Sequence, residues 1–317
     1  MSHRFLVTGG AGFIGSHIAE RLLNDGHFVR VLDDFSAGKE SNLSFSKGLE
    51  KDRLEILRGS VAEKTVCDRA CEGIDFVLHH AARISVSESL KDPERYNTVN
   101  INGTLSLLQA SRNRNVKRFV FASSCAVYGD SKLLPQQEEL LPQPLSPYAL
   151  TKIAGEYACG LFSRLHGLET VCLRYFNVFG PRQAQDNEYS AVIPKFIHAM
   201  LRGRAPTIFG DGRQTRDFTY IDNVVDANVL AATAPGLKHE VLNVATGAEV
   251  TILGIVDLLN KILGKNIKPE FRPPRAGDID RSFSDCSKIR QATGFHPTVG
   301  FEEGLKRTAA YFKACHP

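Results

Sequence analysis

The stretch Thr8-Gly9-Gly10-Ala11-Gly12-Phe13-Ile14-Gly15 constrains the fold of this chain more than any other. It follows Arg4-Phe5-Leu6-Val7, a short apolar run that reads as a buried strand. It precedes residues 16–23, where Ile18, Ala19, Leu22 and Leu23 recur at helical spacing. Strand, glycine turn and helix form the setting of a dinucleotide fingerprint. Gly9 permits a tight turn, Gly12 lets the backbone approach a pyrophosphate, and Gly15 lets the helix pack on the strand. The N–H groups that open the helix then face phosphate oxygens. The next expected strand, Val29-Arg30-Val31-Leu32, ends in Asp33 and Asp34. A carboxylate at that place accepts hydrogen bonds from ribose hydroxyls and repels a 2′-phosphate, which points to NAD.

The same rhythm continues. Residues 54–59 read as a third strand, followed by a helix carrying Val66, Ala70 and Cys71. Residues 75–82 read as a fourth strand ending in Ala81 and Ala82, small enough to let a backbone pass against a cofactor. Residues 93–112 are expected to form one long helix, 118–124 a fifth strand ending in hydroxyls, and 130–147 a polar loop. A helix over 148–166 has the apolar stripe Ile153, Ala154, Tyr157, Ala158, Leu161, Phe162 and Leu165, and residues 170–175 form a sixth strand. Alternating strands and helices predict an α/β chain: a Rossmann-type, doubly wound parallel sheet covered on both faces. After Tyr175 the alternation breaks. A polar loop (177–189), a helix (192–201), a strand (208–212), a helix (221–232), a strand able to rejoin the sheet (240–244) and two late helices (253–263, 302–312) follow. The expected division is an NAD-binding domain of residues 1–175 plus about 218–246. A smaller interleaved α/β substrate domain of about 176–217 and 247–317 would cap the crevice past the strands' carboxyl ends.

Composition narrows the function classes. The 317 residues are 43% apolar, enough for a substantial core. A net charge of +4 without a long Lys/Arg run gives no support to nucleic-acid binding. The seven scattered cysteines form no CxxC or Cys/His set, so no metal is expected, and reduced thiols in a cytoplasm fit best. No signal peptide is expected, because the first apolar run ends at the glycine turn. No apolar segment approaches the ~20 residues that span a bilayer.

Three reactive side chains are expected at one sheet edge. Strand five delivers Ser124, and the following helix begins Tyr148-Ala149-Leu150-Thr151-Lys152. Tyr148 and Lys152, four apart, share a helix face. An ammonium beside a phenol favours phenolate and lowers its pKa. Tyr148 is then a base for a substrate hydroxyl while hydride leaves the same carbon. Ser124 is placed to hydrogen-bond the reacting oxygen, and Lys152 to hold the nicotinamide ribose.

With these residues in place, the chain resembles the extended short-chain dehydrogenase/reductase family over essentially its whole length. The resemblance is to the nucleotide-sugar epimerase branch, and within it to the UDP-glucose and UDP-N-acetylglucosamine 4-epimerases. The stretches that carry it are TGGAGFIG, VLDDFSAG, HHAA, NINGT, FASSCAVYGD, SPYALTK, LRYFNVFG and GDGRQTRDFTYIDN. It implies tightly held NAD, oxidation at carbon 4 of a UDP-sugar, rotation of the 4-keto sugar, and return of the hydride to its other face. It implies Tyr148 as base and then acid, assisted by Ser124 and Lys152. It assigns Gly9, Gly12, Phe13, Ile14, Gly15, Asp33, Asp34, Ser36, Gly38, Ser60, Val61, Ala81, Ala82, Tyr148, Lys152 and Tyr175 to the cofactor. It assigns Ser85, Ser124, Asn177, Val192, Phe209, Arg216, Arg275, Asp278 and Ser282 to the substrate, with Tyr175-Phe176-Asn177 bracketing nicotinamide and sugar. Arg216 and Arg275 match its diphosphate-binding arginines, a role suited to a permanently charged fork. A homodimer built on the helices containing residues 97–112 and 148–166 is implied as well.

Departures from the pattern select among branches. Dehydratases place Asp-Glu, and decarboxylases Glu, just before Val-Tyr-Gly, whereas this chain has Cys125-Ala126 before Val127-Tyr128-Gly129. Elimination and decarboxylation thus lack their carboxylate. Cys125 is expected to be a small buried hydrophobe rather than a nucleophile. Ser282 matches a position facing carbon 2 of the sugar. A tyrosine there goes with non-acetylated sugars, so a serine leaves room for an N-acetyl group. Ser60 stands where relatives carry an adenine-contacting Asp, and Arg83 is bulkier than expected. The alternatives are another UDP-sugar-modifying member (uronic acid epimerase, dehydratase, decarboxylase or reductase) and a non-catalytic NAD-binding protein.

Overall fold

The computed structural model describes residues 2–46, 52–184, 191–274 and 279–315. In chain order its strands are β1 (Arg4–Thr8), β2 (Phe28–Asp33), β3 (Leu54–Arg58), β4 (Phe76–His79), β5 (Arg118–Ser124), β6 (Glu169–Tyr175), β7 (Val178–Phe179), β8 (Thr207–Phe209), β9 (Thr215–Arg216), β10 (Thr219–Tyr220), β11 (His239–Val244), β12 (Val250–Thr251), β13 (Glu270–Arg272) and β14 (Arg281–Ser282). The α-helices are α1 (Phe13–Asn24), α2 (Lys64–Ala70), α3 (Val86–Lys91), α4 (Pro93–Tyr96), α5 (Gly103–Asn113), α6 (Pro147–His166), α7 (Val192–Leu201), α8 (Ile221–Thr233), α9 (Ile252–Leu263), α10 (Ser287–Thr293) and α11 (Phe301–Cys315).

Seven strands form one sheet in the order β11-β6-β5-β4-β1-β2-β3, and every pairing in it is parallel. The order reverses between β1 and β4, the kind of crevice where open α/β sheets bind ligands. Alternate residues of a strand feed opposite faces: Phe5 and Val7 join one apolar cluster with Ile18, Leu22 and Val224, while Leu6 joins the other with Cys67, Leu107 and Cys159. Helices α1 and α8 therefore cover one face, and α2, α5 and α6 the other. Parallel strands put all their carboxyl ends at one edge, so Thr8, Asp33, His79, Ser124, Tyr175 and Val244 end together. The remaining strands make small sheets: β7 with β10, β8 with β13, and β9 flanked by β12 and β14.

Several local expectations change. The expected single helix over 93–112 is α4 and α5 joined by a π-helical turn at Asn97–Asn102. Strand β7 lies in the stretch 177–189 expected to be loop, while α3, α10 and the other two-residue strands lie where no element is expected. The stripe of α6 divides: Ile153 and Ala158 are buried, but Tyr157, Leu161 and Leu165 face solvent.

Candidate active site

The cradle is built at the end of β1. Gly9 has φ +67°, and a Cβ there would lie 2.8 Å from the Ala81 nitrogen, so only glycine lets the turn pass the end of β4. Gly15 is packed against the Gly9 carbonyl, closing the first turn of α1 onto the loop. Gly12 caps α1, whose start has neither a side-chain cap nor an acidic residue in its first turn. The N–H groups of Phe13 and Ile14 thus open the helix at a positive dipole end. Asp33 is nearly buried, and its two oxygens accept from the Ala11 N–H (2.9 Å) and the Phe35 N–H (2.8 Å). Each oxygen keeps a lone pair for a ribose hydroxyl. Gly38 lies against Asp33, and a Cβ there would come within 2.9 Å of its carboxylate. Asp34 is exposed and accepts from the Ser36 N–H (2.8 Å), which makes it a turn former. Ser60 Oγ accepts from the Ala62 N–H (3.3 Å), and Val61 is buried against Gly103. A glycine cradle, an uncapped helix start and a carboxylate at the end of β2 fit a dinucleotide.

The end of β4 is held from behind. Thr8 Oγ1 accepts from the N–H groups of His80 (3.2 Å) and Ala81 (3.1 Å). Buried Asn100, in the π turn, accepts from the Arg83 N–H (2.8 Å) and donates to the Arg83 carbonyl (2.9 Å) and Thr151 Oγ1 (3.0 Å). Ala82 lies between these two anchors. Burial pushes the Tyr96 phenol up, and the Arg83 charge pulls it down by less.

Ser124 ends β5 in register with Tyr175 of β6, and α6 starts beside it with Ser146 as N-cap and Pro147 in the first turn. Tyr148 is half-buried, and its phenol lies beside Ser124. Lys152 is almost fully buried; its Nζ donates to the Ala122 carbonyl (2.7 Å) and stands 5.8 Å from the Tyr148 ring centre. The three residues expected together are together, but the expected acidification of the phenol is corrected. Burial pushes Tyr148 up to about 12, with Ser124 pulling it down by less. Burial lowers Lys152 to about 8. Desolvation is the largest cause for both groups, and the amine is turned to a carbonyl rather than to the phenol.

Other expected residues take more specific roles. Tyr175 is buried; its hydroxyl donates to Asn228 Oδ1 (3.0 Å) and meets His80 Nε2 (3.0 Å), with the His80 ring stacked on it. Phe176 is wholly buried in the core, so its side chain brackets nothing. Ser85 spends its hydroxyl capping α3, accepting from the Glu88 N–H (3.1 Å). Val192 opens α7 and Phe209 ends β8. Arg216 and Ser282 are direct partners across β9 and β14. Ser282 is buried, and its hydroxyl donates to Gln136 Oε1 (3.4 Å). Arg275 and Asp278 lie outside the described residues. Cys125 is partly buried and packs against the apolar core. Burial of the sulfur raises its pKa to about 11, against a downward pull from Arg216, so the thiol stays protonated.

Sequence reasoning missed the residues that brace this edge: Asn100, Asp217, and the buried pair Glu156–Arg174. Glu156 had a legible signal, since it follows Tyr148 and Lys152 at the same four-residue step along α6. Among the described residues no cluster of three or more His, Cys, Asp or Glu could hold a metal, and no helix is long and apolar enough to cross a membrane. A groove of about 540 Å³, lined by Phe76, Lys117, Arg118 and Leu168, lies at the opposite edge, where the strands begin. It contains none of the residues described above.

Comparison with known proteins agrees with this geometry. Residues 5–245 match the NAD dependent epimerase/dehydratase family. A UDP-glucose 4-epimerase of Mycolicibacterium smegmatis is 38% identical over 312 residues, covering 98% of each chain. The solved UDP-N-acetylglucosamine 4-epimerase from Methanobrevibacter ruminantium, in complex with UDP-N-acetylmuramic acid, superposes with a TM-score of 0.94 at 39% identity, covering 99% of both chains. A UDP-glucuronic acid 4-epimerase from Bacillus cereus, solved with UDP-glucuronic acid and NAD, superposes at 0.90 with 36% identity, covering 99% of this chain and all of that one. With a dinucleotide cradle and a Ser-Tyr-Lys edge on a seven-stranded parallel sheet, and relatives matched end to end, this chain belongs to the NAD dependent epimerase/dehydratase family of extended short-chain dehydrogenases/reductases.

Proposed function

We propose that this chain is a UDP-sugar 4-epimerase that interconverts UDP-Glc with UDP-Gal, and UDP-GlcNAc with UDP-GalNAc, through a transient 4-keto sugar. The observation that carries the reading is the meeting of Ser124, Tyr148 and Lys152 at the mouth of a dinucleotide cradle. NAD, held by the Gly9–Gly15 turn and Asp33, supplies a nicotinamide that accepts a hydride and gives it back. Tyr148 takes the proton of the 4-hydroxyl as hydride leaves carbon 4, and returns it when the ketone is reduced from its other face. Ser124, beside the phenol, holds the reacting oxygen in line with it. Lys152, lowered by burial to about 8, carries its charge below that pH and is placed to hold the nicotinamide ribose. Arg216 pairs with the diphosphate, and Ser282 beside it leaves space at carbon 2. Cys125-Ala126 offers no carboxylate for elimination or decarboxylation, which favours plain epimerisation.

The test is incubation of the purified protein with a panel of UDP-sugars, UDP-glucuronic acid included, read by anomeric proton NMR. Both neutral pairs should interconvert without net accumulation of reduced nicotinamide. Turnover of the uronic acid alone, or steady reduction of the cofactor, sinks the reading. Tyr148→Phe should lower turnover by at least about 100-fold with the cofactor retained. Ser282→Tyr should suppress only the acetylated pair. The reading extends to assembly. On α5 and α6, Leu105, Leu150, Tyr157, Leu161 and Leu165 are 40–70% exposed, an apolar face that a second copy would cover in a four-helix interface. A monomeric mass by light scattering removes the dimer.

A further inference from the structure

Asp217 is fully buried, although no step of the proposed reaction uses it. Its Oδ1 accepts from the Thr246 N–H (2.9 Å) and the Thr246 hydroxyl (2.7 Å), and its Oδ2 from the Gly247 N–H (2.8 Å). Its own carbonyl accepts from Asn177 Nδ2 (3.0 Å), and its own N–H donates to the Ser282 carbonyl (2.9 Å). One residue thus joins the turn after β11, the residue following Phe176, strand β14, and β9, which Arg216 ends.

We propose that Asp217 is a positioning residue of the nucleotide-sugar site: it fixes Arg216, Asn177 and Ser282 relative to one another, and so sets UDP affinity. The proposal rests on the UDP-sugar reading above. A buried carboxylate persists only when its oxygens are satisfied, and here three hydrogen bonds come from one turn, 246–247, with the Ser284 backbone N–H a further stabilising donor. The charge therefore pins that turn against β9. Asn177 has φ +30°, an unfavourable backbone for a non-glycine residue. Its amide bond to the Asp217 carbonyl, and the Thr219 N–H on its own carbonyl (3.3 Å), hold it there. Ser282 is gripped from both sides, by the Asp217 N–H on its carbonyl and by Gln136 Oε1 on its hydroxyl. Gln136 is itself fixed, since its N–H donates to the Phe283 carbonyl (2.9 Å). An asparagine at 217 has the same shape, but it would set an NH₂ against one of the Thr246–Gly247 donors. The turn would have to part from β9, and Arg216, Asn177 and Ser282 would lose their common reference. The cofactor cradle, built on β1, β2 and α1, would not.

The experiment compares wild type, Asp217→Asn and Thr246→Val, each as purified. It reads UDP binding by calorimetry, bound NAD per chain, and KM and kcat with UDP-sugars. Asp217→Asn should weaken UDP binding and raise KM by about tenfold or more, as expected for a buried donor left unpaired, with kcat within about threefold. Its NAD content should equal that of wild type. Thr246→Val, which removes only the hydroxyl donor, should shift both in the same direction by about threefold. General loosening of the fold would instead move NAD content and kcat together with KM, and that pattern overturns the proposal. Unchanged UDP affinity in either variant also overturns it, and Thr246→Val decides alone if Asp217→Asn does not fold. A wild type that binds no UDP refutes the substrate reading, and the proposal falls with it. Unaltered variants of a wild type that does bind refute the role of Asp217 only.

Discussion

Glu156→Gln should loosen the catalytic edge from beneath. Glu156 and Arg174 are both almost fully buried and meet through two bonds, Nε to Oε1 at 2.9 Å and Nη2 to Oε2 at 2.7 Å. The Ser123 hydroxyl donates to the same carboxylate at 2.5 Å, and Arg174 also reaches the Glu138 carbonyl at 3.2 Å. The cluster joins α6 one turn past Lys152, β5 one residue before Ser124, and β6 one residue before Tyr175. Glutamine keeps one acceptor oxygen but leaves a guanidinium without a counter-charge. Breaking one side of a buried pair costs about 3–5 kcal/mol, and the surviving acceptor puts this case near 3. At roughly 2–4 °C per kcal/mol in larger domains, the melting temperature should fall by about 6–12 °C. Circular dichroism melts of the purified protein measure it. The same argument requires that Glu156→Leu with Arg174→Met be less damaging than the sum of the single changes, because removing both charges leaves none uncompensated. Additive losses, or a fall below about 1 °C for Glu156→Gln, would refute the reasoning.

Two further predictions concern titration. In cofactor-free protein the Tyr148 phenol, raised to about 12, should show no ionisation below about pH 10 in the tyrosinate absorbance difference between wild type and Tyr148→Phe; ionisation near neutrality would contradict its burial. His17 and His80 are each lowered from 6.5 to about 4, chiefly by burial. The unfolded chain therefore binds protons from about pH 6.5 while the folded chain waits until about 4, so stability drops as pH falls through that window, by up to roughly 1.4 kcal/mol per pH unit per histidine. Urea midpoints from neutrality to about pH 4.5 should show a shallower slope in His80→Phe; an unaltered slope would count against it.

What was legible in the sequence was what repeats over five or more residues. β1 and β5 carry apolar runs, the glycine turn a motif, and α1 and α6 a helical period, and with them come the cradle and Ser124, Tyr148 and Lys152. The small strands at 178–179, 215–216, 219–220, 250–251 and 281–282 are two residues long, too short to hold any period, and form only because tertiary packing brings their partners alongside. Helix α3 has a capping-box signal in Ser85 and Glu88, but six residues are too few to carry a period, and the serine expected at the substrate caps the helix. The state of Tyr148 and Lys152 is not legible for another reason. Spacing reports that two side chains share a face, but not how much water remains around them, and here desolvation decides the direction. Asp217 sits next to a residue that was singled out, yet its partners are drawn from residues 177, 246, 247 and 282, which no local pattern connects.

The π turn at Asn97–Asn102 makes the chain's length at this point part of its chemistry. A π turn is one residue over-long for a regular helix, and the surplus is what aims Asn100 at the Arg83 backbone and Thr151. Excising a single residue there would heal the helix while swinging the asparagine by about 100° around the axis. The segment after β4 would then keep its Thr8 anchor but lose the hold on Arg83 beyond Ala82, without any side chain having been replaced.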